Sequence, residues 1–334
     1  MTNPYLDALV QELRAVTAPP QPLYADFFNI FHYHLGWTDE YGKPAQADTG
    51  KRIRPLLCLW TCEAANGNWH NALPAAAAVE LIHNFSLMHD DIQDDSAERR
   101  GRTTVWKIWG LAQGINAGDA MFVLAHLALN RLTNTDLELA RYVEIQRVLD
   151  NATFKLTQGQ YLDIGFERAD QVTLEHYFEM VRGKTAALLS ATCEIGARIA
   201  TTDAQVIRAF AAYGENLGIA FQISDDVLGL WGDPALTGKS AHTDLHSRKK
   251  SYPVLAAMSA STELRALYAR AEWTDQDIQR VQDILRSTNA REMAIEQAET
   301  YAARALESLR QTNLENDAIM RLSELVTQIV HREK

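Results

Sequence analysis

The chain has 334 residues and a formal net charge of −11, which excludes the basic surface that a nucleic-acid partner requires. Residues that bury well make up 47% of the chain and charged residues 22%, with only 17 glycines and 9 prolines. This composition is typical of a globular, helix-rich protein and not of a disordered or fibrous one.

The sequence shows no targeting segment and no cysteine pattern typical of a metal site. We find no N-terminal basic-then-apolar signal, and the longest apolar stretches are too short or too interrupted to span a bilayer. The cysteines, Cys58, Cys62 and Cys193, lack metal-site spacing and lie in apolar stretches, as small buried hydrophobic residues do. We therefore expect a cytoplasmic protein with no membrane span and no nucleic-acid partner.

Helical signals run from end to end, and strand signals are nearly absent. The first long predicted helix begins near Pro74, has no glycine before Gly101 and ends in acidic residues. A later helix carries an apolar stripe from Val206 to Phe221, with Thr202 and Gln205 as its capping pair. Glycine and proline cluster at 17–22, 37–50 and 232–251, and we interpret the last cluster as a mobile loop beside a site. None of the three resembles an interdomain linker, so we expect one domain over residues 1–334.

The first acidic segment, at 90–95, ends the long predicted helix. Asp90 and Asp94 lie one turn apart on one face, where two carboxylates can share a hard cation. An acidic run alone is usually a solvated helix face. Here, however, three arginines follow at once: Arg99, Arg100 and Arg102. Carboxylates for magnesium and guanidinium groups for phosphate are the two halves of a metal–diphosphate site.

A second acidic segment, at 221–226, has the same character. Asp225 and Asp226 end an otherwise apolar helix and are followed by a glycine-containing loop with further charged residues: Lys239, Asp244 and Lys249. Two such segments in one helical bundle could hold several magnesium ions around one diphosphate.

These motifs, in this order and spacing, resemble the trans-isoprenyl diphosphate synthase, or polyprenyl synthetase, family over about residues 50–253. The resemblance implies an all-α fold, a single large helical bundle of the isoprenoid synthase type with a central active-site cavity. It implies head-to-tail condensation of isopentenyl diphosphate with an allylic diphosphate, giving a short-chain trans-polyprenyl diphosphate. It also implies a homodimer and Mg²⁺ as cofactor, three ions per active site.

The resemblance assigns roles residue by residue. Substrate diphosphates would be bound by Lys51, Arg54, His83, Arg99, Arg100 and Lys249, of which Arg99 serves the allylic substrate and Lys51, Arg54, His83 and Arg100 the isopentenyl one. The catalytic residues would be Lys184, Thr185, Gln222 and Lys239. Magnesium would be bound by Asp90, Asp94 and Asp225, supported by Asp91, Asp226 and Asp244. The sequence departs from the family at Gly229, where the second motif usually ends in an aspartate, and we expect activity to survive this change.

Product length depends on the residues just before the first acidic segment. In the resembled family an aromatic residue five positions before the motif forms the floor of the product tunnel, and Phe85 stands there with Ser86 beside it. With two residues between the paired acids and Asp94, this pattern predicts geranylgeranyl diphosphate as product, with farnesyl diphosphate second. At about 100° per residue, however, Phe85 lies roughly 140° around the helix from Asp90 and Ser86 only about 40°.

Simpler interpretations stay open for several of these residues. The acids of a class I terpene cyclase resemble the first motif, and a non-catalytic subunit of a prenyl synthase would share the fold. Lys184–Thr185 could mark an ordinary helix kink after Gly183. His83 could be a satisfied core histidine, and Phe85 could pack in the bundle without touching product.

Overall fold

A computed structural model of the chain describes residues 3–169, 171–232, 245, 248–270 and 272–330. The predicted all-α class is confirmed. Its α-helices are, in chain order, α1 (Pro4–Val16), α2 (Ala25–His34), α3 (Ile53–Ala64), α4 (Leu73–Gln93), α5 (Val105–Trp109), α6 (Leu111–Asn130), α7 (Leu139–Arg168), α8 (Leu174–Val181), α9 (Ala187–Ala200), α10 (Ala204–Trp231), α11 (Tyr252–Ala260), α12 (Thr262–Tyr268), α13 (Asp275–Ser287), α14 (Ala290–Arg310) and α15 (Asp317–Val330). Lys239 and Asp244 lie outside the described residues, so their roles stay predictions.

Shorter elements join these helices. Single 3₁₀ turns occupy Pro22–Tyr24, Trp69–Ala72 and Arg131–Asn134, and a π-helical turn occupies Arg182–Ala186 between α8 and α9. Two short strands, β1 (Glu98–Arg99) and β2 (Arg102–Thr103), form an antiparallel hairpin. No strand signal was visible here, because a two-residue strand is too short to show an alternating pattern.

The chain folds into two compact units. The first comprises Met1–Leu149 and Thr192–Thr202, and the second comprises Asp150–Ala191 and Asp203–Lys334. We call them the first and second unit and describe each by itself. The single domain over residues 1–334 and its central cavity therefore stay predictions.

In the first unit, α4 packs closely against α6. Proline in its first turn and a run of alanines favour α4 as a helix, and residues 74–82 are buried. On α6, a Cβ atom added to Gly118 would lie 2.1 Å from Nε2 of His89, and one added to Gly114 would lie 3.0 Å from Cδ1 of Ile92. These two glycines let the helices approach, which fixes the acidic end of α4.

In the second unit, α10 packs against α14 and against the π turn. A Cβ atom on Gly218 would lie 2.6 Å from Cα of Ala186, so α10 and the π turn meet almost backbone to backbone. The predicted capping pair at the start of α10 is wrong by one residue. Asp203 is the N-cap, and its carboxylate accepts hydrogen bonds from the backbone N–H groups of Gln205 and Val206.

The three cysteines are buried and form no disulfide, as the sequence predicts. Burial raises the pKa of Cys62 and Cys193 to about 12, so these thiols stay protonated and behave as small apolar side chains. Among the described helices, none combines the length and the hydropathy that crossing a membrane would require.

Candidate active site

The acidic end of α4 places three carboxylates at different depths. Asp91 is only 2% exposed, whereas Asp90 is partly exposed and Asp94 is exposed. The N–H of Asp94 still donates to the carbonyl of Asp90 at 2.9 Å, so both residues belong to the same final turn. The expectation that Asp90 and Asp94 lie one turn apart on one helix therefore holds.

The β1–β2 hairpin carries Arg99 back onto this acidic end. Its two loop residues, Arg100 and Gly101, have φ angles of 52° and 71°, the backbone of the tight two-residue turns that match strand twist. As a result, Nε of Arg99 lies 2.7 Å from Oδ1 of Asp91, and Nη2 lies 3.4 Å from Oδ2 of Asp90. The arginine and the acids that the sequence predicts to act together are in direct contact.

The pKa of Asp91 reflects how closely the three carboxylates lie together. Burial raises the pKa of Asp91 to about 6, Arg99 opposes that rise, and the nearby charges of Asp90 and Asp94 add to it. Like charges so close favour either a proton or a cation among them.

Arg102, which the sequence groups with the phosphate-binding cations, holds the hairpin in place instead. Its Nη1 donates to the carbonyl of Tyr33 at 2.8 Å and its Nη2 to that of Thr38 at 2.7 Å. Its guanidinium also stacks 3.8 Å above the Tyr33 ring. These bonds tie the hairpin to the end of α2 and so fix Arg99 and Arg100.

A second cluster of cations in the first unit joins the early basic motif to the hairpin. Gly50 has a φ of 69°, and a Cβ atom there would lie 2.9 Å from Nη2 of Arg100. Nη1 of Arg54 lies 3.3 Å from Nε2 of His83. Burial, followed by the charge of Arg54, lowers the pKa of His83 well below its usual value, so the neutral ring can accept from Arg54. Lys51, three residues before Arg54 in the sequence, is exposed.

Sequence reasoning missed a buried polar layer beneath these arginines. Glu80 is buried on α4 and accepts a hydrogen bond from Nδ2 of Asn84 at 3.1 Å. Burial raises the pKa of Glu80, while the charges of Arg52, Arg54 and Arg100 lower it. Nε of Arg52 is buried and finds no acceptor among the described residues. Glu80 is a charged residue in a strongly apolar run of the predicted helix. A charge on a face that is expected to be buried was the signal that could have revealed this residue.

The donor set on α4 suits magnesium. Within the described ranges, no group of three or more His, Cys, Asp or Glu side chains is gathered as a metal cage. Magnesium usually binds one or two carboxylates and completes its shell with water and substrate phosphates. Asp90 and Asp94 offer carboxylate oxygens, and Arg99 lies beside Asp90, so this donor set fits an ion that binds together with a diphosphate.

In the second unit, the π turn at Arg182–Ala186 presents Lys184 and Thr185. A π turn inserts one extra residue into the helical ladder and commonly marks a functional site. It lies tightly against α7, because a Cβ atom on Gly159 would come within 2.0 Å of the backbone nitrogen of Lys184. The helix kink considered from Gly183 is thus a π turn, held by glycine on both sides.

This close approach brings Lys184 to Asp163, one turn after Gly159 on α7. Nζ of Lys184 lies 2.5 Å from Oδ2 of Asp163. Burial would raise the pKa of Asp163, but the charges of Lys249 and Lys184 lower it below its usual range. Asp163 therefore interacts with two lysines, Lys184 and Lys249, that the sequence predicts as site residues. Sequence reasoning missed Asp163 because no local spacing links it to either lysine.

A hydrogen-bonded chain joins the other predicted residues of the second unit. Oγ1 of Thr185 donates to Oε1 of Gln222 at 2.8 Å, and Nε2 of Gln222 donates to Oδ1 of Asp226 at 3.0 Å. Oδ2 of Asp226 also accepts from the hydroxyl of Tyr177 at 2.6 Å. Asp226 is thus the buried, inward acid of the pair, and Asp225 is the partly exposed one.

Phe85 lies among aromatic side chains of the first unit. It is 8% exposed, with its ring edge-on to that of Phe122 at 5.3 Å and to that of His89 at 5.9 Å. The hydroxyl of Ser86 points back along α4 and donates to the carbonyl of His83 at 2.7 Å. Packing in the bundle and a role as tunnel floor both fit the position of Phe85.

Comparison with known proteins identifies the class of this site. A family model described as polyprenyl synthetase matches residues 37–288. A (2E,6E)-farnesyl diphosphate synthase of Mycobacterium tuberculosis is 38% identical over 312 residues, covering 91% of this chain and 86% of the relative. A geranylgeranyl diphosphate synthase of the same species is 40% identical over 272 residues, covering 80% and 75%. The crystal structure of a polyprenyl synthetase from Streptomyces coelicolor superimposes with a TM-score of 0.87 at 34% identity, covering 97% of each chain.

The chain therefore belongs to the polyprenyl synthetase family. The prediction of a trans-prenyltransferase made from the motifs is confirmed. Members of the family use a divalent metal ion and isopentenyl and allylic diphosphate substrates. The two Mycobacterium relatives differ in product, so family membership alone leaves fifteen and twenty carbons open.

Proposed function

We propose that the protein condenses isopentenyl diphosphate with allylic diphosphates to a short-chain trans-polyprenyl diphosphate of twenty carbons, geranylgeranyl diphosphate. A fifteen-carbon product, farnesyl diphosphate, is the second candidate, favoured by the relative that covers 91% of the chain. The preference for twenty carbons rests on Phe85, which stands five positions before Asp90, and the condensation itself rests on one observation. Acids and cations are joined in each unit, Asp91 with Arg99 in the first and Asp163 with Lys184 in the second.

The first unit offers the site for isopentenyl diphosphate. In its basic cluster, Gly50 lies close to Arg100, and Arg54 lies within hydrogen-bond distance of His83. Guanidinium forks bind phosphate oxygens in pairs. By resemblance, Arg99 and Lys184 are the cations that we propose for the allylic diphosphate, and Lys249 is a further substrate-binding lysine. A terpene cyclase has no use for a second diphosphate cluster, and a non-catalytic subunit would not need to keep these acids and lysines.

Magnesium is the proposed metal, three ions per active site, with Asp90, Asp94 and Asp225 as its protein ligands. When bound, it supplies a Lewis acid that stabilises the charge of the departing diphosphate. Asp91, held by Arg99, keeps the final turn of α4 in place. Asp226 and, by resemblance, Asp244 would support the second acidic segment.

The reaction breaks the allylic carbon–oxygen bond, forms a carbon–carbon bond to the alkene of isopentenyl diphosphate, and releases a proton. Lys184 and Arg99 would offset the negative charge that collects on the leaving diphosphate. Thr185 and Gln222 place oxygen atoms beside the π turn, where they can stabilise the allylic cation. The proton can leave on the released diphosphate, so no side chain is required as general base.

The test of this function is turnover by the purified chain alone with magnesium, labelled isopentenyl diphosphate and each allylic primer. We expect prenyl diphosphates of increasing length. Asp90→Ala, Asp94→Ala and Asp225→Ala should each lower kcat by about a hundredfold or more, since each removes a metal ligand. Circular dichroism should be unchanged. Near-normal turnover by Asp225→Ala would contradict its role as a ligand, and no turnover by the wild type would contradict the function itself.

Product length tests Phe85. Replacing Phe85 with serine removes a buried ring and should give longer products than the wild type, at a stability cost of about 3–5 kcal/mol. Mass spectrometry of the products and a thermal melt provide the two readouts. A folded Phe85→Ser variant with wild-type products would show that Phe85 only packs in the bundle.

We also propose that the protein is a homodimer through α6. Five large apolar side chains on this helix are exposed: Leu111, Ile115, Phe122, Val123 and Leu127. An exposed apolar stripe of this kind typically marks an interface. Light scattering should give twice the chain mass for the wild type and for Leu23→Glu, an exposed position elsewhere, but the monomer mass for Leu127→Glu. A dimeric Leu127→Glu would exclude this face.

The free thiols support a cytoplasmic location, which cell fractionation would test.

A further inference from the structure

Three cations stand in a row at 248–250, just before α11 in the second unit. Arg248 has a φ of 55°, in the left-handed region that residues with a Cβ atom rarely adopt. Its Nη2 donates to the backbone carbonyl of Tyr268 at 2.7 Å and also to that of Arg270. The guanidinium lies 5.1 Å from the centroid of the Trp273 ring. Arg248 is therefore anchored to the end of α12 and to the connection that follows it.

The surface that receives Arg248 is itself held in place. Nε1 of Trp273 donates to the carbonyl of Leu267 at 2.8 Å, and the Trp273 ring lies edge-on to the buried ring of Tyr268 at 4.7 Å. Arginine side chains that bond to the last carbonyls of a helix are favoured there, because those carbonyls lack helical partners. These contacts offset the cost of the left-handed backbone at Arg248, which persists only where its surroundings hold it.

Lys250 is anchored to a different element. Its Nζ donates to the backbone carbonyl of Phe166 at 2.6 Å and lies 3.4 Å from that of Glu167. Both carbonyls belong to the last turn of α7, where a cation also interacts favourably with the helix dipole. The two residues that flank Lys249 in the sequence are thus fixed, one at the end of α12 and the other at the end of α7.

Lys249 lies between these anchored residues and close to an acid of the proposed site. It is half-buried, and its charge, together with that of Lys184, lowers the pKa of Asp163. Oδ2 of Asp163 lies 2.5 Å from Nζ of Lys184. Because Lys184 is one of the cations proposed for the allylic diphosphate, a second lysine beside the same carboxylate would meet the same substrate.

We infer that Arg248 and Lys250 are positioning residues that hold Lys249 where it binds the allylic diphosphate. The inference rests on the proposed function. A lysine on an unanchored segment would lose backbone and side-chain freedom when it binds a ligand, and this loss weakens binding. Fixing both neighbours beforehand removes part of that cost. Arg248 and Lys250 need not touch the substrate, since their charged groups already bond to backbone carbonyls.

Arg248→Gly tests the inference, because glycine adopts a positive φ without strain and only the anchoring side chain is lost. Arg265→Ala is the matched control. Arg265 is an exposed arginine of α12 that also donates to a backbone carbonyl, that of Met258, and its substitution removes the same charge. Arg248→Gly should raise KM for the allylic diphosphate about tenfold, with kcat and KM for isopentenyl diphosphate within about twofold of wild type. Arg265→Ala should keep wild-type values. Equal KM values for the two variants would overturn the inference.

A double-mutant cycle separates positioning from a direct effect of the arginine charge. Lys249→Ala alone should raise KM for the allylic diphosphate about ten- to hundredfold, as for the loss of a charge-assisted contact. If Arg248 acts through Lys249, Arg248→Gly in the Lys249→Ala background should change this KM by less than about twofold. A further tenfold rise in that background would overturn the inference, because two independent effects would add.

Lys250→Ala serves as a second variant should Arg248→Gly fail to fold, which circular dichroism would show. It removes the bond to the Phe166 carbonyl and leaves Arg248 in place, so KM for the allylic diphosphate should rise at least about threefold. An unchanged KM in a folded Lys250→Ala variant would overturn the inference alone, since the wild type would still transfer prenyl groups. Absence of prenyl transfer by the wild type would refute the proposed function and the inference with it, so the two failures are distinguishable.

Discussion

The structure depends on how the charges of its buried carboxylates are compensated. Taking a carboxylate out of water is costly unless a cation or hydrogen-bond donors replace the lost hydration. Asp91 meets this need through Arg99, whereas Asp163 does so through Lys184 and Lys249. Asp226 accepts three hydrogen bonds, from Tyr177, Gln222 and the backbone N–H of Tyr252, and is also stabilised by the charge of Lys249. Arg99, Lys184 and Lys249 are also cations that we propose for binding the substrates, so the same ion pairs would stabilise the fold and build the site.

Backbone geometry makes these pairings possible. Arg99 reaches the α4 acids because a two-residue turn with positive φ angles reverses the chain immediately after them. Lys184 reaches Asp163 because Gly159 lets α7 touch the π turn. A side chain at Gly159 would meet the backbone of the turn, which cannot move away cheaply. The close contact therefore explains why a glycine stands one turn before the acid.

The sequence predicted what is local and missed what is distant. Helix α4, with its proline start and acidic end, follows from propensity and spacing, and so does the pairing of acids with the arginines that follow them. The hairpin escaped notice because only Gly101 suits a tight two-residue turn, whereas arginine at the position of Arg100 is not a residue that such turns favour. Asp163, Glu80 and Tyr177 could not be assigned, since their partners are 21 residues or more away or lie in a buried layer. Arg102 has the positive charge that a phosphate site needs, but its guanidinium donates hydrogen bonds to backbone carbonyls instead.

The central claim is that the two substrates are recognised by different sets of cations, and calorimetric titration tests it most directly. Isopentenyl diphosphate alone cannot react, so its affinity can be measured with magnesium present. We expect Arg54→Ala to weaken its binding about ten- to hundredfold, as for the loss of a charge-assisted contact, and Lys184→Ala to leave it within about twofold of wild type. Equal weakening by both substitutions, with both variants folded, would contradict the account.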